Sequence, residues 1–139
     1  MMKFSFNQNL LFFIALYGVI SFWSCEKDKM VPPTIDFLTG AGYTSADAHI
    51  ALNANFKIGV DAKRTEDKDD LKTFVVTRSY DGGTATTIDD VTLTSAQAGE
   101  FTKDYDLTSR NVAGIEKYTF IITNRDGLIT TKSITITVP

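Results

Sequence analysis

The sequence predicts an all-β fold, one sandwich of seven to eight antiparallel strands behind a short apolar leader. Three observations carry this. From residue 34 onward, Val, Ile, Thr, Phe and Tyr alternate with polar residues, the period-two pattern of half-buried strands. Gly, Asn and Asp cluster between the alternating segments, where turns need positive φ or a local hydrogen bond. No segment carries a sustained apolar stripe at the 3.6-residue helical period.

The bulk numbers agree with one such body. A chain of 139 residues has room for one core. With 43% hydrophobic residues it can bury enough apolar surface to offset ordering entropy, which excludes a disordered chain. The formal charge of −3 is spread along the chain and offers no basic stripe to a phosphate backbone, so nucleic acid is not an expected partner.

The first element is Leu10 to Trp23, fourteen residues without a charge, preceded by Lys3 and followed by Glu26, Lys27, Asp28 and Lys29. As a helix it would span about 21 Å, short of the roughly 30 Å hydrocarbon core, and the length suits a signal-peptide core better than a permanent span. An uncleaved anchor is the alternative, with flanking residues snorkelling to make up length. The chain's only cysteine, Cys25, lies where this run stops, just after the small residue Ser24. A free cysteine in a linker is the plain reading of that position.

The stretch Ser24-Cys25-Glu26-Lys27-Asp28 resembles the lipobox of bacterial lipoproteins, in the looser form found in Bacteroidota, with Phe22 and Trp23 in place of the usual Leu and small residue. The resemblance implies that Cys25 receives lipid and becomes the first residue after cleavage. Residues 1–24 are then the signal peptide, 25–33 the acylated cysteine and tether, and 34–139 the sandwich. Two or three acyl chains anchor stably, at about 0.8 kcal/mol per buried CH₂. Loss of Lys3 with the leader moves the formal charge from −3 to −4, so the body should stand off an anionic leaflet. The expected location is the outer membrane. In the resembled family, acidic residues after the cysteine direct export to the cell surface; here residues 26–29 alternate in sign, which leaves surface and periplasmic facings both open.

Within the body, Pro32-Pro33 stiffens the end of the tether. Phe56, Ile58, Val60 and Ala62 share one strand face, Phe74 and Val76 another, and Phe101, Lys103, Tyr105 and Leu107 a weaker third. Tyr118, Phe120 and Ile122 alternate with Thr119, Ile121 and Thr123, and Ile134, Ile136 and Val138 with Thr135 and Thr137. Asp81-Gly82-Gly83, Asn111 to Gly114 and Asn124-Arg125-Asp126-Gly127 supply turns, the last as a strong hairpin signal. Phe74, Val76, Tyr118, Phe120 and Ile136 are the expected centre of the core.

The segments "TIDF", "FKIGVDA", "DDLKTFVVTR" and "GIEKYTFIITNRDGLITTKSITITV" resemble immunoglobulin-like domains of Bacteroidota lipoproteins, and more distantly fibronectin type III and PKD-like domains, across 34–139. The resemblance implies an immunoglobulin-like sandwich, and puts Tyr118 where a tyrosine corner would stand. The cysteine pair and buried tryptophan of antibody domains are missing from it.

Chemistry is sparse in this sequence. The one histidine, His49, has no acid-flanked nucleophile near it, and Asp69-Asp70 and Asp89-Asp90 are adjacent pairs that a strand would point to opposite faces. No catalytic residue and no cofactor are expected. Asp67, Asp69 and Asp70, with Asp126, are weak candidates for calcium at a loop end. An EF-hand register starting at Asp67 fails, with Lys72 at the glycine position and Arg78 at the acidic one. Tyr43, Tyr80 and Tyr105 are weak candidates for an aromatic face that takes a sugar ring. The functional expectation is a non-enzymatic, lipid-anchored envelope protein acting as an interaction or spacer module. A glycan-binding accessory of a polysaccharide uptake system is the alternative, so the partner is the membrane through lipid on Cys25 plus a protein or a glycan.

Overall fold

The structure is a computed structural model and describes residues 29–139; the leader, Cys25 and residues 26–28 lie outside the described residues. Among the described residues eight strands form: β1 Thr34–Phe37, β2 Ala48–His49, β3 Asn55–Lys63, β4 Leu71–Tyr80, β5 Thr86–Thr92, β6 Glu100–Thr108, β7 Gly114–Asn124 and β8 Ile129–Val138. One short 3₁₀ turn, Ser95–Gln97, links β5 to β6. The strands make two sheets, β1-β3-β6 and β2-β8-β7-β4-β5. This is the strand order of an immunoglobulin-like sandwich, with the equivalents of strands A, B and E in one layer and of G, F, C and C′ in the other.

Seven strands pair antiparallel, as the alternation predicts, but β2 runs parallel to β8, with Ala48 opposite Ile136 and His49 opposite Thr137. The difference arises because the chain leaves β1 after Phe37 and crosses to the other layer. There two residues join the outer side of β8 before the chain turns back into β3. The Phe56–Ala62, Phe74–Val76 and Phe101–Leu107 segments are therefore β3, β4 and β6.

The core lies between the layers. Phe74, Val76, Tyr118, Phe120 and Ile136 are all 0% exposed, as their strand parity requires. Phe74 anchors an aromatic cluster with Phe101, Phe120 and Tyr105 at centroid separations of 5.0, 6.4 and 6.5 Å. Phe37 adds an edge-to-face contact to Phe120 at 5.4 Å. Such offset and edge contacts suit the ring quadrupole and add to area burial.

The strand directions give the sandwich two poles. Pro32 and Pro33 enter at one of them, where Thr65 Oγ1 donates to Pro32 O at 2.6 Å and Thr130 Oγ1 to Pro33 O at 2.5 Å. The loops 64–70, 93–99 and 125–128 share this proximal pole, and the loops 50–54, 81–85 and 109–113 form the distal one.

Candidate functional site

At the proximal pole the acidic run folds onto arginines. Arg64 Nη1 reaches Asp70 Oδ1 at 2.9 Å and Arg64 Nη2 reaches Asp67 Oδ1 at 3.6 Å. Arg125 stands 4.0 Å from Asp69 and 3.5 Å from Asp126. Asp69 is buried while Asp67 is fully exposed. The four calcium candidates are thus brought to one pole but divided between two guanidinium groups. Among the described residues no three His, Cys, Asp or Glu side chains gather as a metal site. An open depression of about 760 Å³ lies beside them, lined by Lys63, Arg64, Thr65, Asp67 and Glu100.

The three candidate tyrosines share no face, since Tyr43 and Tyr80 lie on different surfaces and Tyr105 lies in the core. Tyr43 lies over the outside of β3: a Cβ built on Gly59 would come within 2.6 Å of its ring, so glycine there lets the 38–47 loop lie flat on the sheet. Its hydroxyl donates to Asp104 at 3.0 Å, and that bond holds the phenol above its usual range. Tyr80 ends β4 at the distal pole, with the guanidinium groups of Arg78 and Arg110 already over its ring at 4.9 and 5.2 Å. Tyr105 belongs to the core, against Phe74 and Phe120, and its hydroxyl donates to Asp89 at 2.6 Å. A sugar platform made of these three is corrected by that geometry: parity on β6 turns Tyr105 inward, away from the other two.

The distal pole holds what the sequence reading missed. Glu116 is 0% exposed yet carries a carboxylate. Tyr118 Oη donates to its Oε2 at 2.6 Å, and the backbone N–H of Arg110 donates to its Oε1 at 2.5 Å. Burial, then this bond to Glu116, pushes the Tyr118 phenol up. The expected tyrosine corner is therefore modified: the hydroxyl reaches the upstream backbone through a carboxylate rather than directly. Asp81 completes the cluster. It accepts from Ile115 N at 2.7 Å and from Arg110 Nη1 at 2.6 Å, and these two donors hold its carboxyl below the usual range. Gly114 has φ +144°, which strains any other residue, and a Cβ there would also displace the Asp81 and Arg110 side-chain tips. The signal was available in principle, since Glu116 shares the inward parity of Tyr118, Phe120 and Ile122.

The flanks of the sandwich carry opposed charges. Lys103 Nζ and Tyr105 Oη both reach Asp89 Oδ2 at 2.6 Å, tying β6 to β5 across the open side. Burial pushes the Asp89 carboxyl up, but donation from Lys103 and Tyr105 outweighs it and holds the group low. On the outer face of the three-stranded sheet, Lys57 lies 3.5 Å from Asp104 and 3.2 Å from Asp106. Lys63 lies 2.9 Å from Asp61 and 3.0 Å from Glu100, and these carboxylates, Asp61 first, push it up to about 12.

The chain matches no protein-family model, and no curated protein is significantly similar to it. Solved structures do resemble it. Superoxide reductase (neelaredoxin) from Ignicoccus hospitalis superposes with a TM-score of 0.51 at 11% identity, over 78% of this chain and 81% of that one. Murine CRIg gives 0.45 at 12% identity over 78% and 99% of the two chains. A β-glucosidase from Listeria innocua gives 0.46 at 14% identity, matching 76% of this chain to 16% of its own. The likeness to the reductase is one of fold alone, a small all-β domain.

Proposed function

We propose that the protein is a non-enzymatic, lipid-anchored envelope protein, held at the outer membrane through Cys25, whose sandwich is an interaction or spacer module. The observation that carries this reading is the position of the single cysteine, between an uncharged run of fourteen residues and a charged linker. The fold is compatible with such mounting. Pro32 and Pro33 are hydrogen-bonded to Thr65 and Thr130, so the chain enters the sandwich at the proximal pole, and few residues of sequence separate Cys25 from Pro32.

Mounted this way, the distal pole and the long flanks point away from the bilayer and remain open to a partner. Leu52, Val112, Ile115 and Tyr80 are exposed at the distal end, apolar and aromatic groups of the kind that contact other proteins. A protein partner is favoured over a glycan because the three candidate tyrosines do not meet. The test is fractionation of cells making the full chain or Cys25→Ser. The parent should partition into the detergent phase and Cys25→Ser should leave it; equal partitioning of the two would overturn the anchor.

A further inference from the structure

We propose that the free edge of β6, Glu100–Thr108, is a docking site for an extended basic segment of another protein, which adds a fourth strand to the three-stranded sheet. This deepens the interaction-module reading, on which it rests for there being a partner, and it does not involve the lipid.

The edge is open and straight. β6 has one neighbour, β3, and the two pair over nine residues from Asn55↔Thr108 to Lys63↔Glu100 without a step in register. Among the described residues no other strand covers its far side, where alternate N–H and C=O groups point outward. The edge of the other layer is different. β5 steps from Val76↔Asp89 to Thr77↔Thr87, leaving Ile88 unmatched, and such a bulge spoils an edge as a template. The position beside β6 is also one that the fold can fill, because the corresponding layer of seven-strand immunoglobulin sandwiches carries a fourth strand next to strand E. Here the chain passes from β5 to β6 through residues 93–99, and among the described residues no strand takes that place.

Charge selects the occupant. The outer face of this sheet next to the edge presents Asp61, Glu100, Asp104 and Asp106 against Lys57 and Lys63, an excess of two negative charges. Asp106, with its side chain 80% exposed, and Glu100 are the most open of these. Pairing β6 with β6 of a second copy would bring these acids beside one another, which is destabilising. A strand with Lys or Arg at alternate positions puts its cations along the acidic row. Its intervening residues then lie beside Phe101, Lys103, Tyr105 and Leu107, which face inward; Lys103 is paired with Asp89, so small uncharged residues fit there.

The experiment uses the full chain in detergent and two nine-residue peptides, one alternating lysine with valine and one alternating glutamate with valine. The lysine peptide should bind, slow amide exchange along β6 but not β5, and weaken as salt rises. The variant Asp104→Lys/Asp106→Lys, checked for an unchanged circular dichroism spectrum, should lose affinity for the lysine peptide by about tenfold or more. Equal binding of the two peptides, protection elsewhere than β6, or an unchanged affinity of the variant would overturn the proposal. A concentration-dependent homodimer that protects β6 would also overturn it. Lipid on Cys25 is read separately by mass, so failure of the docking site and failure of the anchor are distinguishable.

Discussion

At the proximal pole Arg64, Asp67, Asp70, Arg125 and Asp126 pair in water, whereas at the distal pole Glu116 and Tyr118 pair inside the protein beside the Arg110–Asp81 contact. The proximal contacts join arginine to aspartate at 2.9–3.6 Å, and the distal ones join Glu116 to the Tyr118 hydroxyl and the Arg110 N–H, and Asp81 to Arg110, at 2.5–2.6 Å. What differs is the alternative open to each group when its partner is removed. An exposed carboxylate returns to water, and its pair contributes little beyond side-chain ordering. The Tyr118 hydroxyl has no such recourse, because it is enclosed among core side chains and would lose its acceptor outright. The comparison teaches that the exposed pairs of Arg64 with Asp67 and Asp70 are less important for holding the fold than the enclosed Glu116–Tyr118 pair.

The largest effect expected sets the scale for both poles. Phe120→Ala, in the core between them, should cost about 3–5 kcal/mol in denaturant unfolding, and a loss under ~1 kcal/mol would remove Phe120 from the centre of the aromatic cluster. Next comes Glu116→Ala, which strands the Tyr118 hydroxyl and the Arg110 N–H together. It should cost about 2–4 kcal/mol by the same assay, with Glu116→Gln milder. If the alanine variant unfolded like the parent, the distal cluster would be no more important than the proximal one, and the comparison would fail.

Acid provides a third and smaller test. The Asp81 carboxyl is held low in the fold, by Ile115 N–H first and Arg110 second, so ionised Asp81 favours the folded state. Its contribution is fully present above the ordinary carboxylate range near ~4 and is lost as pH falls through the folded value. Asp81→Asn should therefore flatten the fall of stability below about pH 4, read as denaturant midpoints across that range. A slope unchanged by the substitution would mean that the Ile115 and Arg110 contacts do not distinguish folded from unfolded chain. The smallest effect is Arg64→Ala at the proximal pole, expected within about 1 kcal/mol of the parent. A larger loss would give the surface cluster a structural role that its exposure does not support.

Much of the fold was legible because β3 alternates polar and apolar residues over all nine positions, and β8 does so from Ile134 to Val138, while Tyr118, Phe120 and Ile122 mark the inner face of β7. The turn at Asn124–Gly127 was legible for a chemical reason: Gly127 takes φ +84°, and Asn124 Oδ1 accepts from Leu128 N at 2.8 Å. β5 was not legible, since the step at Ile88 puts Ile88 and Val91 out of phase and erases the alternation. The parallel strand β2 is only two residues long, too short for any period.

The site was less legible than the fold. A run such as Glu66 to Asp70 announces itself in one dimension, although Asp67 and Asp70 pair with Arg64, and Asp69 with Arg125 from a distant turn. Glu116 is a single acid among apolar residues, and only its parity marks it as buried. The β6 edge is invisible in sequence for another reason: an unpaired edge is a property of which strands become neighbours, and Lys103 reveals its role only once Asp89 is seen across the gap.

The central claim is that the body hangs from lipid at Cys25, and intact-mass analysis of the protein extracted from its native membrane tests it most directly. The predicted result is a chain that begins at Cys25 and is heavier than its polypeptide by a diacylglyceryl group and an amide-linked acyl chain. A polypeptide of unmodified mass that still carries Met1 would contradict it.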